Sequence, residues 1–526
     1  MNEFLVLLPV LLFMAAMLLI SAFLRRAADL GRAGSSSGWL GEYFIGSRSL
    51  GGFVLAMTTV ATYSSVSSFV GGPGQAWEIG FGWIYMSVVQ VTMLILLLGI
   101  LGKKLAVAAR KINAVTIIDI IRHRYQSDLL ATLSAIIIVI FMCATMVAQF
   151  VGGAKLFEAV TGLPYLTGLA IFGLAVVVYT TVGGFRGVAV TDAVCAVFML
   201  IGMVVLLAGL LHNGGGFAAI MERISSHSPQ LLEPLSAGNM PVSLYISQWV
   251  LVGLCVIALP QSAVRCLSYE STRALHRAMI IGTVVIGAMN IGMNLIGVLA
   301  AGVLTGDLSE YGNSIDNIIP ILIASMSPAV AGFCIIGPIA ATISTISSLL
   351  LAASSSIVKD IYLHEKARRR EEVSTRRVTC ISQGFTLALG LFSFLVSVDP
   401  PSVIWKINMF AFGGLESAFL WIFLLGMFWK KANRCGAIWA ILGGTLSYCL
   451  AMALGIRPLD LHPIVIGIAF SLAFFLLGTH FGRPVEREVL ACYFACGERK
   501  ADGDPCRGAS FVQRNGSQPQ AKDTRI

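Results

Sequence analysis

From end to end the chain alternates long apolar runs with short polar connectors. Each run is about 20 residues, the length an α-helix needs to cross a hydrocarbon core. The runs lack the short in-out alternation of membrane barrel strands. Because lipid offers the backbone no hydrogen-bond partners, such segments must close their own bonds as helices. The pattern therefore predicts an all-α polytopic membrane protein with thirteen transmembrane helices. They fall near 4–24, 51–72, 81–101, 129–158, 164–182, 188–211, 243–264, 278–304, 329–357, 378–398, 403–429, 436–455 and 464–482. The first run is read as a retained span and not a cleaved leader, since Asn2 and Glu3 precede it while Arg25 and Arg26 follow it. Residues 1–482 form a single transporter domain in this reading. The widest connector, 212–242, has room for a short helix but not for a domain. The polar, Gly- and Ser-rich stretch 483–526 is expected to be a disordered cytoplasmic tail.

Composition narrows the class. Hydrophobic residues make up 57% and charged residues 12%, against ~25% charged in ordinary soluble proteins. That removes a soluble enzyme, a disordered chain and a fibrous repeat. The formal charge of +9 arises in the connectors. With the N-terminus outside, 32 of the 36 Lys and Arg fall in connectors of the inner side or in the tail. Only Lys155, Arg223, Lys406 and Arg457 remain. The positive-inside rule therefore orients the chain N-terminus out and C-terminus in, and no nucleic-acid partner is needed to explain the charge. No glycine-rich phosphate loop follows a strand, so energy for pumping is expected from an ion gradient. The eleven cysteines lie in spans or in the tail, so no structural disulfide is expected. Cys492, Cys496 and Cys506 have no tail histidine beside them, which argues against a metal centre there.

Two spans are irregular. Residues 58–68 carry seven Ser or Thr in eleven positions. One or two hydroxyls can bond back to their own helix, but seven point to an unwound, polar stretch with free carbonyls. Five spans later, Pro260 interrupts the 243–264 run, removing a donor and forcing a kink. Irregular helices five apart are what a five-plus-five inverted repeat produces, here helices 2–6 against 7–11. In the ninth span, Ser344 and Thr345 offer neutral oxygens suited to sodium. Ionisable groups at membrane depth are few. Asp192 lies near the inner start of the sixth span, and Glu416 lies inside the eleventh. Both are read as gating or coupling residues; the alternatives are an ion pair at the inner mouth, with Arg186, for Asp192 and a protonated or paired structural acid for Glu416.

Several stretches resemble the sodium:solute symporter family. Tyr179-Thr180-Thr181-Val182-Gly183-Gly184-Phe185 is similar to one signature, and Gly426-Met427, Lys431, Gly436-Ala437 and Ala440–Gly444 to a second. Gly46–Gly51 and the Ser344-Thr345 pair fit as well, and the likeness spans residues 1–482. Glu42-Tyr43-Phe44, Ser67–Gly74, Gln149–Ala154, Leu259-Pro260-Gln261 and Ala411–Glu416 are most similar to members that carry pantothenate. The resemblance implies sodium-coupled pantothenate import through the bacterial inner membrane by alternating access, with no cofactor beyond the co-transported sodium and no obligate protein partner. It places sodium on the carbonyls of Ala61, Ser64 and Ala341 and the hydroxyls of Ser344 and Thr345. It places substrate near Ser68, Gln90, Val256, Pro260 and Met409. Proline-carrying members have an acid where this chain has Tyr63. The substrate carboxylate is expected to be held by half-helix amides and sodium, with Arg265 as the alternative partner or an inner-loop charge. Another small carboxylate, a proton as coupling ion, and a non-transporting sensor remain open.

Overall fold

The computed structural model describes residues 3–30, 50–235, 240–371 and 373–494. Glu42–Ser49, Cys496 and Cys506 lie outside the described residues. So do the side chains of 182–187, with the Gly183-Gly184-Phe185 signature and Arg186.

Among the described residues the regular structure is helical, with one isolated bridge and no strand. The helices, numbered in chain order, are α1 Glu3–Leu30, α2 Gly52–Tyr63, α3 Ser67–Ile79, α4 Phe81–Lys111, α5 Ile117–Tyr125 and α6 Asp128–Thr161. They continue as α7 Tyr165–Thr181, α8 Val188–Asn213, α9 Phe217–His227, α10 Val242–Ala258, α11 Pro260–Arg265 and α12 Thr272–Ala300. The remainder are α13 Ile315–Ala324, α14 Pro328–Arg368, α15 Thr375–Val396, α16 Ile404–Phe428, α17 Arg434–Ala453, α18 Ile464–Phe481 and α19 Arg487–Phe494. Length and apolarity alone qualify nine of these as spans, or ten with the bent pair α2–α3. The other three expected spans fall on the shorter apolar helices Leu7–Phe23, α7 and α10, so the count of thirteen is not set by length and composition.

The expected helix 51–72 is two helices. Its halves meet at a 65° bend, and the second runs on to Ile79. Helical backbone is continuous from Tyr165 to Asn213, where two spans are expected. The phenol of Tyr179 nevertheless hydrogen-bonds to the hydroxyl of Thr191. Along a straight helix those residues would stand ~18 Å apart, so the helix is bent between them. The connector 212–242 holds the short helix α9.

The repeat shows in the pairings. Leu50 N–H donates to Ser268 O (3.1 Å) and Glu270 N–H to Leu50 O (3.1 Å), so α2 starts where α11 ends and the two broken spans run antiparallel. α12 packs on α2, and α10 packs on α4; a two-fold exchange of the five-helix sets interconverts these pairs. It also interconverts α14 on α8 with α16 on α6. At the α8–α14 crossing Gly202 faces Gly337, and a Cβ on Gly202 would sit 3.0 Å from the Gly337 Cα. Two glycines allow the backbones to touch there, as membrane helix pairs require. α17 and α18 pack on each other, and α16 joins them to the rest.

The tail expectation needs correction. Residues 487–494 form a helix, with Val489 and Cys492 buried. Lys111 Nζ caps its Cys492 carbonyl (3.1 Å), Tyr493 Oη donates to Ile120 O (3.3 Å), and the Tyr493 hydroxyl lies 3.1 Å from His123 Nδ1. Apolar cover from α4 and α5 is what folds a segment whose composition reads as loose. Among the described residues eight cysteines are free.

Candidate cation and substrate site

The hydroxyl-rich stretch unwinds where the sequence concentrates competing side chains. Thr59 and Thr62 bond back to Leu55 O (2.6 Å) and Thr58 O (2.8 Å) within the last turns of α2. Ser64 is then extended (φ −76°, ψ 96°), and α2 ends. Gln149 of α6 supports the break, its Oε1 accepting the Val66 N–H at 2.9 Å. Ser65 supports it from within, taking the Ser67 N–H on its hydroxyl (3.2 Å) and the Ser68 N–H on its carbonyl (2.9 Å).

Opposite the break, Ser344 of α14 has its hydroxyl 2.9 Å from Ala61 O and 3.0 Å from Ala341 O. The Ser64 and Thr345 hydroxyls are buried and have no hydrogen-bond partner. Three of the five expected sodium ligands thus touch directly; Thr345 carries a free hydroxyl, and Ser64, expected to act through its carbonyl, has a free hydroxyl as well. The set is neutral, built from carbonyls at an unwound turn and hydroxyls on a facing helix, the chemistry by which transporters of this architecture hold sodium. The second break lies alongside. Tyr63 Oη, the last residue of α2, donates to Val252 O at 2.9 Å. There α10 loosens through a wide turn, Val250–Leu254, and a tight one, Cys255–Ala258. Leu259 is extended, and Pro260 opens α11, where its missing N–H costs nothing.

The five expected substrate residues sit on elements that converge on these breaks. α16, with Met409, packs against the first turn of α3, which holds Ser68, and against the Cys255–Ala258 turn, which holds Val256; α4, with Gln90, flanks Val250–Leu254. The space is closed: Val256 is 0% exposed, Met409 6% and Gln90 8%. Two details were not legible in the sequence. Gln90 Oε1 accepts from Asn290 Nδ2 at 2.8 Å, and Asn294 Nδ2 donates to Ser87 Oγ at 2.7 Å. Asn290 and Asn294, one turn apart in α12, orient the polar face of α4. Carboxamides at membrane depth were the available signal. The half-helix amides expected to hold a carboxylate are engaged in this conformation, since the N–H groups of Val66, Ser67 and Ser68 already have acceptors.

Asp192 is not at an exposed inner mouth. It is 0% exposed, and its Oδ2 accepts from Thr58 Oγ1 (3.1 Å), Arg265 Nη2 (3.2 Å) and Ser348 Oγ (3.1 Å). A cation it does meet is Arg265, 73 residues away; the side chain of Arg186, the expected partner, lies outside the described residues. Arg265 is no inner-loop charge either. It is 3% exposed and spends its donors on Asp192, Ser348 Oγ (2.7 Å), Gln261 O (3.0 Å) and Thr58 O (3.3 Å). The correction has one cause: α11 continues past Pro260 and carries Arg265 back into the bundle, where a buried carboxylate satisfies it. Glu416, on α16, is wholly buried, and neither carboxyl oxygen has a hydrogen-bond partner.

Comparison with known proteins follows the same lines. Residues 43–444 match the profile of the sodium:solute symporter family. The sodium/pantothenate symporter of Escherichia coli (strain K12) is 41% identical over 487 residues, covering 92% of this chain and 98% of the relative. That of Haemophilus influenzae is 38% identical over 455 residues, covering 86% and 93%. In fold the chain is similar to a Na+-coupled sialic acid symporter solved substrate-bound and outward-open, with a TM-score of 0.74 at 18% identity over 92% of this chain and 99% of that one.

Proposed function

This chain belongs to the sodium:solute symporter family, and on that premise we propose that it imports pantothenate together with sodium by alternating access. It is a multi-pass protein of the bacterial inner membrane. The observation that carries the coupling is the Ser344 hydroxyl bridging the Ala61 and Ala341 carbonyls. A sodium ion that accepts these oxygens, with those of Ser64 and Thr345, ties the unwound turn of the moving α2–α3 span to α14. The identity with two sodium/pantothenate symporters supports the substrate.

Substrate then binds where α3, α4, α10 and α16 converge. A carboxylate cannot be buried there unpaired. Arg265 is committed to Asp192, so sodium, the Ser68 hydroxyl and the free Nε2 end of Gln90 are the groups assigned to it. Val256, Pro260 and Met409 give the apolar surface a gem-dimethyl carbon needs. Asp192 and Arg265 act as a pair that fixes α2, α8, α11 and α14 relative to one another. The N-terminus is assigned to the outside and the C-terminus to the inside, on the distribution of Lys and Arg.

Uptake of a panel of labelled carboxylates into proteoliposomes, with and without an inward sodium gradient, tests the reading. Pantothenate accumulation that requires sodium is the expected result. Accumulation of a different carboxylate, or an equal response to a proton gradient alone, would overturn the substrate or the coupling ion respectively.

A further inference from the structure

The buried acid of α16 has no place in the sodium and substrate site as drawn. Both oxygens of Glu416 lack hydrogen-bond partners, and the residue is 0% exposed. It nevertheless faces the working parts of the molecule. The titratable groups close enough to feel its charge are Tyr63 at the end of α2, Cys255 in the broken turn of α10 and Tyr448 of α17. Among the described residues no cation lies within hydrogen-bond reach of either oxygen. Arg265, the cation of the bundle interior, is taken by Asp192.

An ionised carboxylate at this depth without a partner is expensive. Two phenols and a thiol do not offset that cost. A sodium ion needs several convergent oxygens, and the hydroxyls of the two phenols that feel Glu416, Tyr63 and Tyr448, already donate to Val252 O and to Met409 O. A proton needs only the carboxyl itself. We propose that Glu416 is a proton-binding site on the transport path, protonated while the two helix breaks are closed on each other and deprotonated when they part. The step balances simply: water reaching the breaks takes the proton as the carboxyl O–H bond breaks, and closure from the opposite side requires a proton to be taken up again. The Tyr63 bond to Val252 spans the two breaks beside this acid, so its rupture on opening is what admits water.

The proposal takes its setting, but not its substrate, from the transport reading above. The experiment has two arms on wild type, Glu416→Gln and Glu416→Asp. The first measures pantothenate uptake into proteoliposomes at a fixed inward sodium gradient while the outside pH is varied. Wild-type uptake rises as the outside pH falls, by up to about tenfold per pH unit, the limit for one titrating group. Glu416→Gln, which cannot ionise, loses that slope whatever its absolute rate, and Glu416→Asp retains it. The second arm follows the sodium-induced rise in melting temperature of detergent-purified protein, without substrate, across the same pH range. It stays informative if Glu416→Gln does not transport or if pantothenate is not the substrate, since only the sodium response of wild type and Glu416→Asp should vary with pH. A pH profile for Glu416→Gln that superimposes on wild type in both arms overturns the proposal. So does loss of the sodium response in Glu416→Gln at every pH, which would make the acid a sodium ligand.

Discussion

One helical turn separates two polar clusters built on the same pair of helices, and they treat charge in opposite ways. In the upper cluster Ala61 of α2 meets Ser344 of α14, and every group is neutral, with the Ser64 and Thr345 hydroxyls left over. In the lower, Thr58 of α2 meets Ser348 of α14, and between them the chain inserts both an acid, Asp192, and a guanidinium, Arg265. The lower cluster carries its own cation and is closed by it. The upper has oxygens to give and no cation of its own. A helix pair can thus be pinned at one level and responsive to a soluble ion at the next.

The largest expected effect comes from unbalancing the pinned level. Arg265→Ala leaves Asp192 buried and unpaired, which costs about 3–5 kcal/mol. The loss appears as a lower melting temperature and a smaller monodisperse fraction in detergent. Adding Asp192→Asn to Arg265→Ala should recover most of it, because the residual amide needs no counter-ion. A double variant no more stable than the single would mean that the pair is not the pin.

The responsive level should behave the other way. Ser344→Ala removes one neutral oxygen and no buried charge, so folding changes little. The sodium concentration for half-maximal uptake should rise by about tenfold, or roughly 1.4 kcal/mol. An unchanged sodium titration would move the ion elsewhere. Tyr63→Phe tests the link between the two breaks. It strands the Val252 carbonyl at a cost of about 1 kcal/mol, and it should alter turnover more than sodium affinity in paired initial-rate and sodium-titration measurements.

The smallest effect lies outside the membrane. Burial holds His123 of α5 below its ordinary value, so the docked state favours its neutral form. The contribution to docking is full above about pH 6.5, the unfolded value. It declines as the pH falls from there toward the lowered folded value, because only the undocked state then gains a proton. The protection factors of the Arg487–Phe494 amides, exchange rates divided by the intrinsic rates at each pH, should fall on mild acidification in wild type and much less in His123→Phe.

Some of the site was legible because it was local. Seven hydroxyls in eleven positions announced an unwound stretch, and Pro260 announced the second break, since a missing N–H acts within its own turn. The contacts of Gln149, Asn290 and Asn294 are not legible in short windows, because each acts on a helix distant in sequence. The contact of Asp192 with Arg265 is illegible for a related reason: only the return of α11 brings the two together.

Chain chemistry by itself determined the environment, the helical class, the side of the membrane expected for each connector and the places where helices must fail. All of these follow from the length and composition of short windows, because lipid forces each span to satisfy its own backbone. Only the tertiary structure decided which failure faces which helix: the Ser344 bridge to Ala61, the Tyr63 bond to Val252, the four-helix clasp on Asp192 and the solitude of Glu416. Those depend on where the helices cross and on the two-fold arrangement of the repeats. Crossings are set by contacts between small and large side chains spread over hundreds of residues, and no single window holds that information.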